Sequence, residues 1–351
     1  MQYLRWLLLP FSLVYGLMVI IRNWFYDAGL FKSCQFNLPV ISVGNLEIGG
    51  AGKSPMTEYL VRLFKSEYKV ATLSRGYGRK TKGFLIATAT TTATQIGDEP
   101  SQFKDKFPDV TVAVCEDRVA GIERLKADHD LVLLDDAFQH RAVKPGLSIL
   151  LFDYNNLQKP KLLLPAGNLR EPFSGRWRAD MMVITKCPHD LTEALMTKCY
   201  EQISPLNWQP LFFTSIAYQP LQDVQGNKAN TIIDADTTVF LLTGIANPKP
   251  LEQYMGRFTT KIIHHNYPDH HQFTLKNIAK LAGEFSACRS QKKLIITTEK
   301  DVQRLGVHEL LPALAQLPVV VQPIGVNFLN NGQQPFDTLL LNYVREHTKH
   351  N

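Results

Sequence analysis

Pro39-Val40-Ile41-Ser42-Val43-Gly44-Asn45-Leu46-Glu47-Ile48-Gly49-Gly50-Ala51-Gly52-Lys53-Ser54 passes from an apolar stretch into a glycine-rich turn ending in lysine and serine. A buried strand, such a turn and a following helix point successive backbone N–H groups into one small cavity. With the helix dipole and a lysine ammonium, that cavity suits nucleotide phosphates. Gly49, Gly50, Ala51, Gly52, Lys53 and Ser54 are the expected phosphate-binding residues, and Ser54 is placed to reach Mg²⁺ as in a Walker A loop. The loop departs from G-x-x-x-x-G-K-[ST], since Glu47 stands where the first glycine belongs, and takes the form G-G-x-G-K-[ST]. A flexible turn is the plainer reading; the place between strand and helix favours phosphate.

Similar apolar runs recur at Lys69–Leu73, Val110–Val114, Leu131–Leu134, Leu147–Phe152 and Met181–Thr185, separated by segments of helical character. Continuous apolar strands spaced by helices predict a parallel sheet covered on both faces, an α/β fold. Past residue 200 the texture turns to prolines and the polar Gln225-Gly226-Asn227-Lys228, read as connecting structure with a small hairpin. A second α/β unit follows in Thr238–Thr243, Lys293–Thr298 and Val319–Val326. Ala87–Gln95, mostly alanine and threonine, predicts an irregular or strand-like excursion.

With 351 residues the chain exceeds a single core of about 250–300 residues, so two domains are expected. Hydrophobic residues at 45% and charged residues at 20% exclude a disordered chain. The net charge of +6 suits an anionic membrane surface or a phosphorylated substrate. No zinc-finger pattern or lysine-arginine run points to nucleic acid. The five cysteines are scattered without a C-x-x-C pair and read as reduced, cytoplasmic thiols.

Trp6 to Ile21 is almost wholly apolar, broken by Pro10, Ser12 and Gly16 and flanked by Arg5 and Arg22. It falls short of the ~20 residues of a spanning helix, and Arg22-Asn23-Trp24-Phe25-Tyr26 offers no signal-cleavage site. The expectation is a helix at the bilayer interface, with Trp6, Trp24 and Tyr26 at headgroup level. A core helix packed on the domain is the alternative, and a mixed case is the third reading.

Asp135-Asp136 ends the run Leu131–Leu134, where a Walker B acid would meet Mg²⁺; a helix start favouring acids is the alternative. Gln139 and His140 follow within a turn. Ser74-Arg75-Gly76-Tyr77-Gly78-Arg79 could clamp an anion or form an ordinary solvated turn. Asp98, in Gly97-Asp98-Glu99-Pro100, reads as a helix cap or as a catalytic base. His264-His265 and Asp269-His270-His271 read weakly as a zinc site and better as a histidine assisting a carboxylate.

Together with Asp117-Arg118, Leu164–Pro172, Thr243-Gly244-Ile245-Ala246-Asn247-Pro248 and Thr298-Glu299-Lys300-Asp301, these motifs resemble, in order and over nearly the whole chain, the tetraacyldisaccharide 4'-kinase family. The resemblance implies a P-loop α/β/α sandwich and a second, smaller α/β/α domain joined by a two-stranded linker, with ATP in the cleft. On this chain the divisions fall at 1–30 (membrane-associated helix), 31–205 (nucleotide-binding domain), 206–236 (linker) and 237–351 (closing domain). It implies that Lys53 holds the β- and γ-phosphates, that Ser54, Asp135 and Asp136 organise Mg²⁺, and that Asp98 is the catalytic base. Its partner is a histidine of the Asp269-His270-His271 motif, His270 preferred to His271. Arg75, Tyr77, Arg118, Gln139, His140, Arg170 and Glu171 line the site.

The implied reaction is ATP-dependent phosphorylation of the 4'-hydroxyl of an anionic tetraacyldisaccharide 1-phosphate. It would occur at the cytoplasmic face of the bacterial inner membrane, by a monomer. Two rivals stand beside it. A P-loop ATPase or GTPase of the partitioning or metallochaperone type would often carry a lysine where this chain has Ile48. Thr185-Lys186-Cys187-Pro188 also lacks the aspartate of a guanine motif. A nucleotide-binding scaffold without catalysis is disfavoured by Asp98 and Asp135-Asp136.

Overall fold

The computed structural model describes residues 5–306 and 309–348; the expected outer limits at 1 and 351 lie outside the described residues. The first eight strands are β1 (Val40–Asn45), β2 (Val70–Ser74), β3 (Leu85–Ile86), β4 (Thr111–Val114), β5 (Leu131–Asp135), β6 (Leu147–Asp153), β7 (Met181–Thr185) and β8 (Leu211–Tyr218). A separate four-stranded parallel sheet holds β9 (Thr238–Thr243), β10 (Ile262–Asn266), β11 (Lys293–Thr298) and β12 (Val319–Gln322), in the order β10-β9-β11-β12. The chain then returns as β13 (Ile324–Phe328) to complete a nine-stranded sheet, β13-β8-β7-β6-β1-β5-β2-β4-β3. That sheet is parallel except at its two edges, where β13 and β3 run antiparallel to their neighbours.

Every residue of β1, β2, β5 and β7 is buried, as strands covered on both faces require. The register sets Val43 of β1 opposite Asp135 of β5, so the glycine loop and the acidic pair leave the sheet side by side. The P-loop helix Lys53–Phe64 packs Met56, Leu60, Val61 and Phe64 against Ile41, Val43 and Leu133.

The expected closing domain, 237–351, needs correction at its far end. The run Val319–Val326 is two strands, because Pro323 lacks an N–H for the ladder and interrupts the pairing. β12 stays with the second sheet, whereas β13 pairs with β8. The helix Gln333–Thr348 then buries Phe336, Leu340 and Val344 in the core of the first sheet. Tyr343 Oη receives the Val40 N–H at 3.2 Å. The two strands joining the units are therefore β8 and β13. The polar stretch forms the small hairpin expected there, with an antiparallel bridge between Gln222 and Lys228 and Ala229 N donating to Leu221 O at 2.8 Å.

At the amino-terminal side, Leu9–Asp27 is one helix, and Pro10 falls in its first turn, where a missing N–H is harmless. Its polar residues dock it. Ser12 Oγ donates to Leu163 O at 3.0 Å, Tyr15 Oη to Arg170 O at 2.7 Å and Arg22 Nη2 to Gln139 O at 2.8 Å. Its apolar residues face outward: Leu13 is 74% exposed, and Phe11 and Met18 are 65% exposed. The helix is thus no core helix, yet it is packed on the domain through its polar residues, which is the mixed reading.

Candidate active site

Glycine at two positions lets the loop after β1 fold back on itself. Gly49 has φ 108°, and Gly52, the residue before the P-loop helix, has φ 81°. Lys53 Nζ donates to Asn45 Oδ1 at 3.2 Å and lies 3.6 Å from Asp136 Oδ2. Ser54 is buried in the same first turn. Glu47, the departure from the usual motif, is turned aside to Asn156 and Lys161.

The acidic pair divides in two. Asp135, last in β5, is buried and accepts from Thr57 Oγ1 at 3.0 Å. Burial and the nearby carboxylates of Glu99 and Asp136 push its carboxyl up to about 6. Asp136 has a left-handed φ of 49° and is no helix start, so the helix-start alternative is set aside. Arg170 grips Asp136 with both terminal nitrogens, at 2.7 and 3.2 Å, and also donates to Asn45 Oδ1. Burial opposes ionisation of Asp136, but Lys53 and Arg170 hold its carboxyl below the ordinary value.

Arg170 belongs to the 164–172 segment, which lies along the exit of β1: Arg170 N donates to Leu46 O at 2.7 Å. Glu171 is buried there, with Arg178 at 2.8 Å and Gln139 Nε2 at 2.9 Å. Asn45 Nδ2, Arg118 Nε, Gln139 Oε1 and His140 Nε2 are buried without a protein partner. Burial, aided by the Arg118 charge, lowers the His140 imidazole to about 4, so the ring is neutral. Burial and the charge of exposed Arg75 also lower Arg118.

Asp98 is no cap. Gly97 precedes the helix Asp98–Lys106 with φ 95° and no side-chain bond, and Asp98 is its first residue. Its carboxylate turns to the second sheet, where Arg304 Nε donates to Oδ2 at 2.8 Å and His270 Nδ1 lies 3.4 Å away. Burial opposes its charge, yet the bonds from His270 and Arg304 hold the carboxyl below its ordinary value. The bond to Asp98 raises His270 in turn. Arg304 Nη2 lies 3.1 Å from the same His270 Nδ1. One nitrogen cannot serve both: protonated it donates to Asp98, unprotonated it accepts from Arg304. His271 points elsewhere, stacked on Tyr267 at 4.5 Å, with Nε2 3.1 Å from Asn277 Oδ1.

The remaining histidines scatter as well. His264 pairs with Thr243 and His265 with Glu284. Among the described residues no three His, Cys, Asp or Glu side chains gather to hold a metal. Tyr77 is exposed, its ring 6.1 Å from that of His270. Glu99 connects the two halves: it pairs with Lys300 at 2.9 Å, and its charge acts on Asp135.

Sequence reasoning missed Arg304 as the partner of Asp98, Asn45 as the bridge between Lys53 and Arg170, and Asp301. The fully buried Asp301 fixes Arg304 at 3.2 Å and takes the Gly244 N–H at 3.1 Å. Thr298-Glu299-Lys300-Asp301 was the only signal for that support.

The profile of a family described as tetraacyldisaccharide-1-P 4'-kinase matches residues 4–345. The chain belongs to this family. The tetraacyldisaccharide 4'-kinase of Phocaeicola vulgatus is 42% identical over 353 residues, covering 98% of this chain and 96% of the relative. That of Flavobacterium psychrophilum is 43% identical over 354 residues, covering 99% of each. Among solved structures, "apo" form LpxK from Aquifex aeolicus in complex with ATP superposes with a TM-score of 0.74 at 29% identity, covering 97% of this chain and 99% of that one. Membership of the tetraacyldisaccharide-1-P 4'-kinase family makes the chain a lipid kinase and disfavours the partitioning or metallochaperone ATPase reading.

Proposed function

We propose that the chain transfers the γ-phosphoryl group of ATP to the 4'-hydroxyl of a tetraacyldisaccharide 1-phosphate, giving the 1,4'-bisphosphate in lipid A biosynthesis. The observation that carries this reading is the pairing of a phosphate-binding floor with Asp98, a carboxylate of the same unit held at the cleft by His270 and Arg304 of the second unit. Gly49 to Ser54 cradle the phosphates with backbone N–H groups, and Lys53 neutralises the β- and γ-oxygens.

The donor set fits Mg²⁺: Ser54, Asp135 and Asp136 offer only oxygen, and crowded carboxylates that raise Asp135 are relieved by a cation. Bound there, Mg²⁺ would offset charge on the phosphates. Asp136 is already paired with Lys53 and Arg170, so Asp135 is the freer ligand.

A sugar hydroxyl is a poor nucleophile and loses its proton as it attacks. Asp98 takes that proton, and His270 and Arg304 hold its carboxylate ionised and aimed. Arg118, Gln139 and His140 line the site beside Asp136 and Glu171; Arg75 and Tyr77 stand at the rim. The unit of residues 238–322 closes on the nucleotide and excludes water. One chain provides every group named, so a monomer suffices.

The exposed apolar face of Leu9–Asp27 lies in the cytoplasmic leaflet of the inner membrane, which delivers the lipid's sugar 4'-hydroxyl to the cleft. Replacing Leu13 and Leu17 by aspartate removes flotation with anionic vesicles while leaving the fold; unchanged flotation would refute the membrane contact. For the reaction itself, labelled ATP, Mg²⁺ and the lipid in detergent micelles yield a labelled bisphosphate. Label no greater than with Lys53→Ala would refute it.

A further inference from the structure

Lys106 closes the nine-residue helix that Asp98 opens, away from the reacting groups. Its ammonium donates to Glu58 Oε2 and to Glu299 Oε1, each at 2.5 Å. Glu58 is buried in the P-loop helix, one turn past Ser54, and also accepts from Gln102 Nε2 at 2.7 Å. Glu299 opens the helix Glu299–Leu305 of the second unit. Its other oxygen accepts the N–H of Ile324, the first residue of β13, at 3.2 Å. One ammonium thus joins the helix behind the phosphate loop, the helix of the base and the helix that carries Arg304.

The helices Asp98–Lys106 and Glu299–Leu305 lie side by side in opposite directions. Asp98 meets Arg304, Ser101 Oγ donates to Gln303 Oε1 at 3.0 Å, and Lys106 meets Glu299. We propose that Lys106 is a positioning residue for the phosphoryl transfer, a clamp at the far end of this helix pair that keeps Asp98 aimed at the phosphates. Its effect on turnover rests on the kinase reading above. The base helix is about 12 Å long, so a turn of about 5° carries Asp98 about 1 Å relative to the clamped end. A misplacement of about 1 Å costs on the order of 10²-fold in rate.

The clamp is unbalanced in charge, since two carboxylates share one ammonium. Burial and then the Glu299 charge push the Glu58 carboxyl up to about 7, against the pull of Lys106 and Arg62. Arg62 of the same helix and Lys228 of the connecting segment border the cavity beside Glu58. Tyr59 lines it too, but gives its proton to Asp337. A carboxyl raised by folding supports docking fully below its ordinary 4.5 and loses that support as pH climbs through about 7. The clamp is therefore tightest with Glu58 protonated and slackens in alkaline solution, where Glu58 and Glu299 repel each other.

Three measurements on the full-length protein test this. Lys106→Met should lower kcat about tenfold and leave KM for ATP within about twofold, because the phosphate loop keeps its own contacts. An unchanged kcat overturns the proposal. Glu58→Gln leaves one carboxylate to one ammonium and carries the test if Lys106→Met does not fold. The ratio of its kcat to that of wild type should rise about threefold from about pH 6 to about pH 9. Titration of His270 acts on both proteins and cancels in that ratio; a ratio flat with pH overturns the clamp. Hydrogen exchange without lipid, corrected for the intrinsic rate, should show protection of 98–106 and 299–305 falling through about pH 7 in wild type and not in Glu58→Gln. Equal pH dependence in the two proteins removes the clamp whatever the activity. If protection changes as stated but no lipid is phosphorylated, the kinase reading fails and the clamp stands.

Discussion

Lys53, Asn45, Asp136 and Arg170 hold one another within the nine-stranded sheet and its loops, whereas Asp98 takes its partners Arg304 and His270 from the four-stranded unit. The phosphate-binding half is thus set by one packed domain. The proton-accepting half exists only when the two units are docked, and it is steadied by Glu99–Lys300 and by Lys106 shared between Glu58 and Glu299. Burial and the Glu299 charge push Glu58 up to about 7, so that shared lysine is holding two carboxylates that resist a common charge.

The comparison breaks most sharply at Lys53. Lys53→Ala should lower kcat/KM about 10³-fold and weaken ATP binding as well, because it acts on ground state and transition state alike; single-turnover kinetics and ATP titration read both. Asp98→Asn should lower kcat about 10²–10³-fold with ATP affinity nearly unchanged. Equal losses in both would make Asp98 a structural residue of the interface.

Smaller still is the effect of pH on docking. His270 is raised, so its contribution to stability is complete below its ordinary 6.5 and fades as pH climbs through the raised value. Asp98 is lowered, so its contribution is complete above its ordinary 3.8 and is lost only in more acid solution. The Tm gap between wild type and His270→Ala should therefore be widest between about pH 4 and 6.5 and shrink at alkaline pH. A gap independent of pH would remove the pair from the interface. His271→Ala, one residue away but turned to Tyr267, should leave kcat within about twofold; a loss matching that of His270→Ala would exchange their roles.

What the sequence made legible follows from distance along the chain. The loop 49–54 and Asp135-Asp136 are local patterns, each beside its strand, and both lie where expected. Arg304 meets Asp98 across 206 residues, and Arg170 meets Asn45 across 125. No periodicity records such pairs. Asp98 itself sits at a helix start, where a cap and a base share the same local sequence; only its partners separate them. The apolar run through Pro323 looked like one strand because its residues stay largely apolar on both sides of the proline, while burial falls away from β12 to β13 and the hydrogen-bond ladder passes to another sheet.

The return of the chain through β13 has a bearing on how the protein is made. Tyr343 closes on Val40 across 303 residues, and Phe336, Leu340 and Val344 fill the core beneath the P-loop helix. On a ribosome, the first sheet must therefore wait, with that core face uncovered, while the whole second unit is synthesised and folded. The smaller domain, enclosed between β8 and β13, is free to fold first. The nucleotide site matures last, although its defining residues are among the earliest to emerge.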